Sequence, residues 1–235
     1  MKNYPIYLLA LLLCISCQSS EKKSNGNVTE TNNIALFNGK NLDGWRGSSA
    51  IWSVEDGCIV GRTTDENKIE KNTFLIYEKP FSNFELTFKY KIVGGNSGVQ
   101  YRSKVLDEAS FVLGGYQADM EAGVNHSGIL YEEKGRGILA KRGEKVIINE
   151  DGSKTVEQFA KAEDIQAAIN MEEWNDYRVV ANGIKLQHYI NGNKTIDVTD
   201  NESSKRAASG LIALQVHRGP NMVVRYKDLK INTLP

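Results

Sequence analysis

The chain is poor in several things, and each scarcity excludes a class of protein. Of its 235 residues only three are cysteine, namely Cys14, Cys17 and Cys58. The first two sit in an apolar leader, so the remainder keeps one thiol and cannot form an internal disulfide. Charge of a single sign is missing as well: 29 lysines and arginines balance 29 aspartates and glutamates. With no basic block and no acidic tail, nothing concentrates the positive face that nucleic acid requires. There are three histidines, none in an H-x-x-x-H spacing, and outside the apolar leader, which holds Cys14 and Cys17, there is no C-x-x-C pair for a transition metal. No G-x-S-x-G, phosphate-binding glycine loop or dinucleotide fingerprint occurs. Serine hydrolase, nucleotide-binding and dehydrogenase chemistries are set aside on that ground.

What is present starts with "MKNYPIYLLALLLCISC". Lys2 precedes an apolar run from Ile6 to Ile15, too short to span a bilayer comfortably, and small Ser16 stands directly before Cys17. Residues 1–17 resemble a bacterial lipoprotein signal in which Cys17 becomes the lipidated first residue. The polar, aromatic-free stretch 18–33 reads as a flexible tether. The expectation is a domain over 34–235, lipid-anchored in the cell envelope at the outer membrane, on its periplasmic face or at the cell surface. Cys58, in "GCIV", reads as a buried, inert strand thiol.

From residue 34 the dominant signal is strand. "TFLIY" and "FELTFKYKIVGG" are rich in aromatic and β-branched residues. Asn182-Gly183 and Asn191-Gly192 between apolar runs predict two hairpins, and Glu55-Asp56-Gly57 marks another turn. One helix is expected in "TVEQFAKAEDIQAAIN", where Thr155 and Gln158 have capping-box spacing. Many short strands with glycine turns and one or two short helices predict an all-β sandwich of two packed antiparallel sheets.

Parity then sorts the polar strand residues, because side chains alternate between the faces of a strand. In "GYQADM", Gln117 and Asp119 share one face and Tyr116, Ala118 and Met120 the other. In "SGVQYRS", Gln100 and Arg102 fall together. In "SGLIALQVH", Gln215 and His217 do. These are directional hydrogen-bonding groups of the kind that sugar hydroxyls require. Of the other histidines, His188 reads as a satisfied core residue and His126 as a surface residue in a glycine-bearing loop. "YEEKGRG" brings Glu132, Glu133 and Arg136 into one hairpin, either as a charged turn or as part of a groove rim.

"LFNGKNLDGW", "GNSGVQYRS", "GYQADM", "WNDYRVVANG", "HYINGN" and "IALQVHRGPNMVVRYKDLKI" occur in that order across residues 34–235. Together they resemble the bacterial 3-keto-disaccharide hydrolase family. The resemblance implies a concanavalin-like jelly roll with a sugar-binding concave face. It also implies cleavage of glycosidic bonds in sugars already oxidised at C3. One departure stands out: many members carry glutamate then glutamine where this chain has Gln117 then Asp119.

A C3 ketone acidifies the C2 hydrogen and places the C1 glycosidic oxygen β to the carbonyl. Proton removal, elimination and addition of water then give net hydrolysis. Such chemistry needs a base, a cradle for the enolate and an acid for the leaving group. The resemblance places "VQYR", "YQAD" and "LQVH" on the concave face. Matching these needs to the residues there gives Asp119 or His217 as the expected base and Arg102 as enolate stabiliser, with Gln100, Gln117 and Gln215 holding hydroxyls. Glu132 or Glu133 with Arg136 would serve the leaving group, and Tyr101, Tyr116 and Arg218 complete the binding set. A divalent cation at the enolate would do the work of Arg102. Two other readings stay open: a conventional two-carboxylate glycosidase and a non-catalytic carbohydrate-binding lipoprotein.

Overall fold

The computed structural model describes residues 1–2 and 33–235. Apart from residues 1, 2 and 33, the expected signal, Cys17 and the tether lie outside it. The strands are β1 (Asn33–Ala35), β2 (Trp45–Arg46), β3 (Trp52–Glu55), β4 (Cys58–Thr63), β5 (Thr73–Phe81) and β6 (Phe84–Val93). There follow β7 (Asn96–Asp107), β8 (Val112–Glu121), β9 (Leu130–Glu133), β10 (Gly137–Ala140), β11 (Glu144–Ile148) and β12 (Lys154–Gln158). After the helix α1 (Ala162–Ala167) come β13 (Asn175–Asn182), β14 (Lys185–Ile190), β15 (Asn193–Asp200), β16 (Gly210–Val216) and β17 (Met222–Thr233).

They form two sheets. The larger runs β12-β11-β15-β14-β13-β6-β17-β4-β3, with β1 also on β17, and the smaller runs β10-β9-β8-β7-β16-β5-β2. Every pair is antiparallel except β11 with β15, the one departure from the expected pairing. Alternation explains the layering. In β6, Phe84, Leu86, Phe88, Tyr90 and Ile92 are buried, while the residues between them are partly exposed. That face meets Val99, Tyr101, Tyr116, Leu214 and Val216 of the smaller sheet in one apolar core. Burial of this kind contributes roughly 25 cal/mol per Å² of apolar surface, which is why β6 keeps strict parity. Cys58 is buried, as expected, and has no disulfide partner among the described residues.

The turns follow their sequences. Asn191 and Gly192 both have positive φ (48° and 82°), the signature of a type I′ hairpin, and Asp56-Gly57 repeats it (49° and 72°). In the β13–β14 hairpin the two-residue loop is Gly183-Ile184, one residue later than expected. The predicted long helix is half wrong. Residues 154–158 pair with β11 as a fully exposed edge strand, and α1 starts from Lys161 with no side-chain cap. The open edge of β11 offers a ladder of hydrogen-bonding partners that outcompetes one capping box. Of the apolar residues in this segment Val156 and Phe159 are exposed, whereas Ile165 and Ile169 are buried.

Candidate functional site

The outward face of the smaller sheet carries a cleft of about 590 Å³. Gln117, Asp119 and Glu121 of β8 form its floor with Tyr131 and Glu133 of β9. Asn72, His217 and Arg218 close one side, and His126, in the loop after β8, closes another. The opposite parity of β8 is core: Tyr116, Ala118 and Met120 are at most 1% exposed.

A chain of amides runs under this floor. Gln100 Nε2 donates to Gln117 Oε1 (3.2 Å), and Gln117 Nε2 donates to Asp119 Oδ1 (2.6 Å) and to Gln215 Oε1 (3.3 Å). Gln215 Nε2 and Asn72 Nδ2 reach Glu133 over longer distances of 3.4–3.5 Å. The backbone N–H of Arg218 fixes Asn72 Oδ1 at 3.0 Å. Gln100 and Gln215 are completely buried, so they orient Gln117 and Glu133 and do not themselves meet a ligand. Gly98 makes the network possible. It lies opposite Asp119, and a Cβ there would sit 2.6 Å from Gln117 Cγ.

Burial pushes the Asp119 carboxyl up to about 8; the Gln117 hydrogen bond opposes this, and the charges of Glu133 and Glu121 add to it. A carboxylic acid that keeps its proton at neutral pH can donate as well as accept. Gln117 occupies Oδ1, so Oδ2 is the oxygen left for a ligand. Burial alone would raise the Glu121 carboxyl too. Hydrogen bonds from the His126 ring and from the backbone N–H groups of His126 and Asn125 outweigh it and hold that group below its ordinary range.

The structure brings together Gln117, Asp119, Glu133, His217 and Arg218, with Gln100 and Gln215 behind them. It separates the remaining expected residues. Arg102 does not share a face with Gln100. The register of β7 breaks between Tyr101 and Lys104, and Arg102 has φ +48°. This β-bulge turns the guanidinium away. Its N–H groups donate to the carbonyls of Ser82 (2.8 Å), Gly183 (2.7 Å) and Ala207 (3.3 Å) and to Asn83 Oδ1 (3.2 Å). Arg102 thus clamps loops, far from the role of enolate cradle.

Tyr101 and Tyr116 point into the core and stack on each other with ring centroids 5.6 Å apart; they cannot touch a ligand in the cleft. Tyr101 Oη bonds His188 Nε2 at 2.9 Å, and Tyr177 Oη lies 3.3 Å from Nδ1. His188 is therefore the satisfied core histidine that its parity indicated, and burial pushes it down to about 3. Glu132 and Arg136 also face inward. Arg136 donates to Glu132 (2.7 Å), Asp200 (2.7 Å) and Glu202 (3.0 Å), and Tyr116 Oη donates to Asp200 (2.6 Å). This is a buried clasp between sheets, with Glu133 alone of the two glutamates reaching the cleft. Among the described residues no three acidic, histidine or cysteine groups converge as a cation site.

Sequence reasoning missed Tyr131, Asn72 and the pair Glu121–His126. Parity could have found two of them. Glu121 continues the 117, 119 face, and Tyr131 pairs with Gln117 in register. His126 Nδ1 lies 2.8 Å from Glu121 Oε2, a contact across a loop that no periodicity signals.

Comparison with known proteins follows the same outline. A match to the 3-keto-alpha-glucoside-1,2-lyase-like domain extends over residues 32–232. A 3-keto-disaccharide hydrolase of Bacteroides thetaiotaomicron is 40% identical over 76 residues, 29% of this chain and 26% of that protein. The matched segment spans about a quarter of that relative. Among solved structures, a candidate glycosyl hydrolase of Parabacteroides distasonis superposes with a TM-score of 0.57 at 22% identity, covering 86% of this chain and all of that one. A galectin-like protein of Bacillus subtilis gives 0.56 at 10% identity over 86% and 94% of the two chains. The carbohydrate-binding module CBM66 of the same species gives 0.54 at 14% over 81% and 96%. These likenesses place the sandwich in the galectin-like, jelly-roll class. The domain match covers nearly all of residues 33–235, and on that basis the chain belongs to the 3-keto-alpha-glucoside-1,2-lyase-like domain family.

Proposed function

We propose that the protein cleaves the glycosidic bond of 3-keto-glycosides by elimination across C1 and C2, with water addition completing hydrolysis. The observation that carries this reading is Asp119: a buried carboxyl, held protonated near neutral pH, on a floor of oriented amides beside an aromatic ring. The C2 proton leaves as an enolate forms; the C1–O bond then breaks, and the departing alkoxide needs a proton. Asp119, being protonated, suits that acid role better than the basic role suggested by its sequence position. Gln117, Asn72 and Glu133 hold ring hydroxyls, and Tyr131 offers its face to the sugar. Cys17 as lipid attachment point, holding the domain at the envelope, is part of the same proposal; loss of detergent partitioning in Cys17→Ser tests it.

Asp119 and Glu133 in one cleft also favour a second reading, a conventional two-carboxylate glycosidase. One experiment separates them. The protein is incubated with a nitrophenyl 3-keto-glucoside and with its unoxidised parent. Release from the keto form alone, slowed by deuterium at C2, is the expected result. Release from the parent with no isotope effect refutes elimination.

A further inference from the structure

We propose that His126, its ring fixed by Glu121, is the base that removes the C2 proton. The inference deepens the reading above and rests on it. Glu121 lies two residues beyond Asp119 on the same outward strand face, about 6.6 Å along the strand, and both line the cleft that the His126 ring also lines. The Glu121 carboxylate accepts from His126 Nδ1 (2.8 Å), from the backbone N–H of His126 (2.7 Å) and from that of Asn125. A carboxylate has no proton to give, so Nδ1 carries the hydrogen, and in the neutral ring Nε2 is then the nitrogen with the lone pair. The ring lines the cleft and is half exposed, at 47%.

The loop that bears it is fastened throughout. Arg142 donates to the carbonyls of Ser127 (2.9 Å) and Val124 (2.6 Å). Ser127 Oγ accepts the Glu121 N–H at 2.9 Å, and Gly128 N–H donates to the Asp119 carbonyl at 2.9 Å. A histidine held this way is preorganised, which an ordinary surface histidine is not. His217 also lines the cleft, but its Nδ1 rests on the Arg218 carbonyl, a neutral acceptor. Among the described residues, His126 is the one of the two with a carboxylate behind it to stabilise the positive charge that proton uptake creates.

The proton balance closes. His126 Nε2 takes the C2 hydrogen, and the C2–H electron pair forms the enolate. That pair becomes the C1=C2 bond as the C3 carbonyl re-forms and the C1–O pair leaves with the aglycone, which takes the Asp119 proton. In the return half, Asp119 accepts a proton from water, hydroxide adds to C1, and protonated His126 returns its proton to C2. Both groups end as they began.

The test separates base from acid by using a 3-keto sugar with no aglycone, 1,5-anhydro-3-keto-glucitol, and following exchange of its C2 proton in D₂O by NMR. Wild-type protein is expected to catalyse exchange, and His126→Gln to lose at least about 100-fold of it. Exogenous imidazole is expected to restore exchange in His126→Gly, which rules out a mere folding defect. Glu121→Gln, a positioning change, is expected to lower the saturated exchange rate with little change in KM. If His126→Gln exchanges at the wild-type rate while wild type still releases nitrophenol, the inference falls and the function stands. A larger loss in His217→Gln than in His126→Gln also overturns it. Wild-type protein that neither exchanges nor releases aglycone overturns both.

Discussion

Replacing Asp119 with asparagine leaves the shape of the floor nearly unchanged and removes one ionisation. In the folded protein the carboxyl titrates near 8, raised by burial from a reference of 3.8. A raised carboxyl contributes stability that is fully present below the unfolded value and is lost as pH rises through the folded one. Between those limits the native state holds a proton that the unfolded state has released. Stability therefore falls by about 1.4 kcal/mol per pH unit, on the order of 6 kcal/mol in all. Asp119→Asn has no such slope. Urea unfolding of both proteins at pH 5, 6.5, 8 and 9 should show the variant gaining on wild type as pH rises, with most of the gain by pH 8. Taking the difference cancels the other titrating groups. Parallel stability curves would refute the claim that Asp119 is buried and protonated, and with it the acid role.

Three further changes probe separate parts of the molecule. Arg136→Met strands Glu132, Asp200 and Glu202 without their shared cation and should cost roughly 3–5 kcal/mol in urea unfolding, with KM for a keto-glycoside unchanged because the clasp lies behind the sheet. Tyr131→Ala removes an aromatic face worth about 1 kcal/mol and should raise KM roughly fivefold while kcat holds; Tyr131→Phe should keep the wild-type KM. Gly98→Ala puts a methyl against Gln117; about 1–3 kcal/mol of stability should be lost, and aglycone release should fall further than that loss of folded protein explains.

The sandwich was legible in the sequence because its causes are local. Strand parity buries Phe84 through Ile92 on one side, and Asn191-Gly192 can hardly form anything but a tight hairpin. The helix over 155–170 was misread for a reason the sequence does not carry. Thr155 and Gln158 satisfy a capping pattern, but the free edge of β11 satisfies more backbone groups at once, and only the fold reveals that edge. Parallel pairing of β11 with β15 was hidden likewise, since it joins segments some fifty residues apart.

For the site, alternation worked until a strand broke it. Gln117, Asp119 and Gln215 fall on the expected face, whereas one bulge at Arg102 reverses the count and removes the residue that was to cradle an enolate. A similar error lay in treating Glu132, Glu133 and Arg136 as one unit. Adjacent strand residues face opposite ways, so Glu133 reaches the cleft while Glu132 turns to the core, and Arg136 joins it beyond the turn. There the guanidinium is committed: its donors are spread over three carboxylates. Drawing it out to a leaving group would leave those charges buried and unpaired, a larger penalty than one hydrogen bond to an alkoxide returns. Under the proposed elimination the proton for the aglycone has to come from a group whose hydrogen is not already donated inside the fold; among the described residues the Asp119 side chain only accepts, from Gln117, and its acid proton meets that condition.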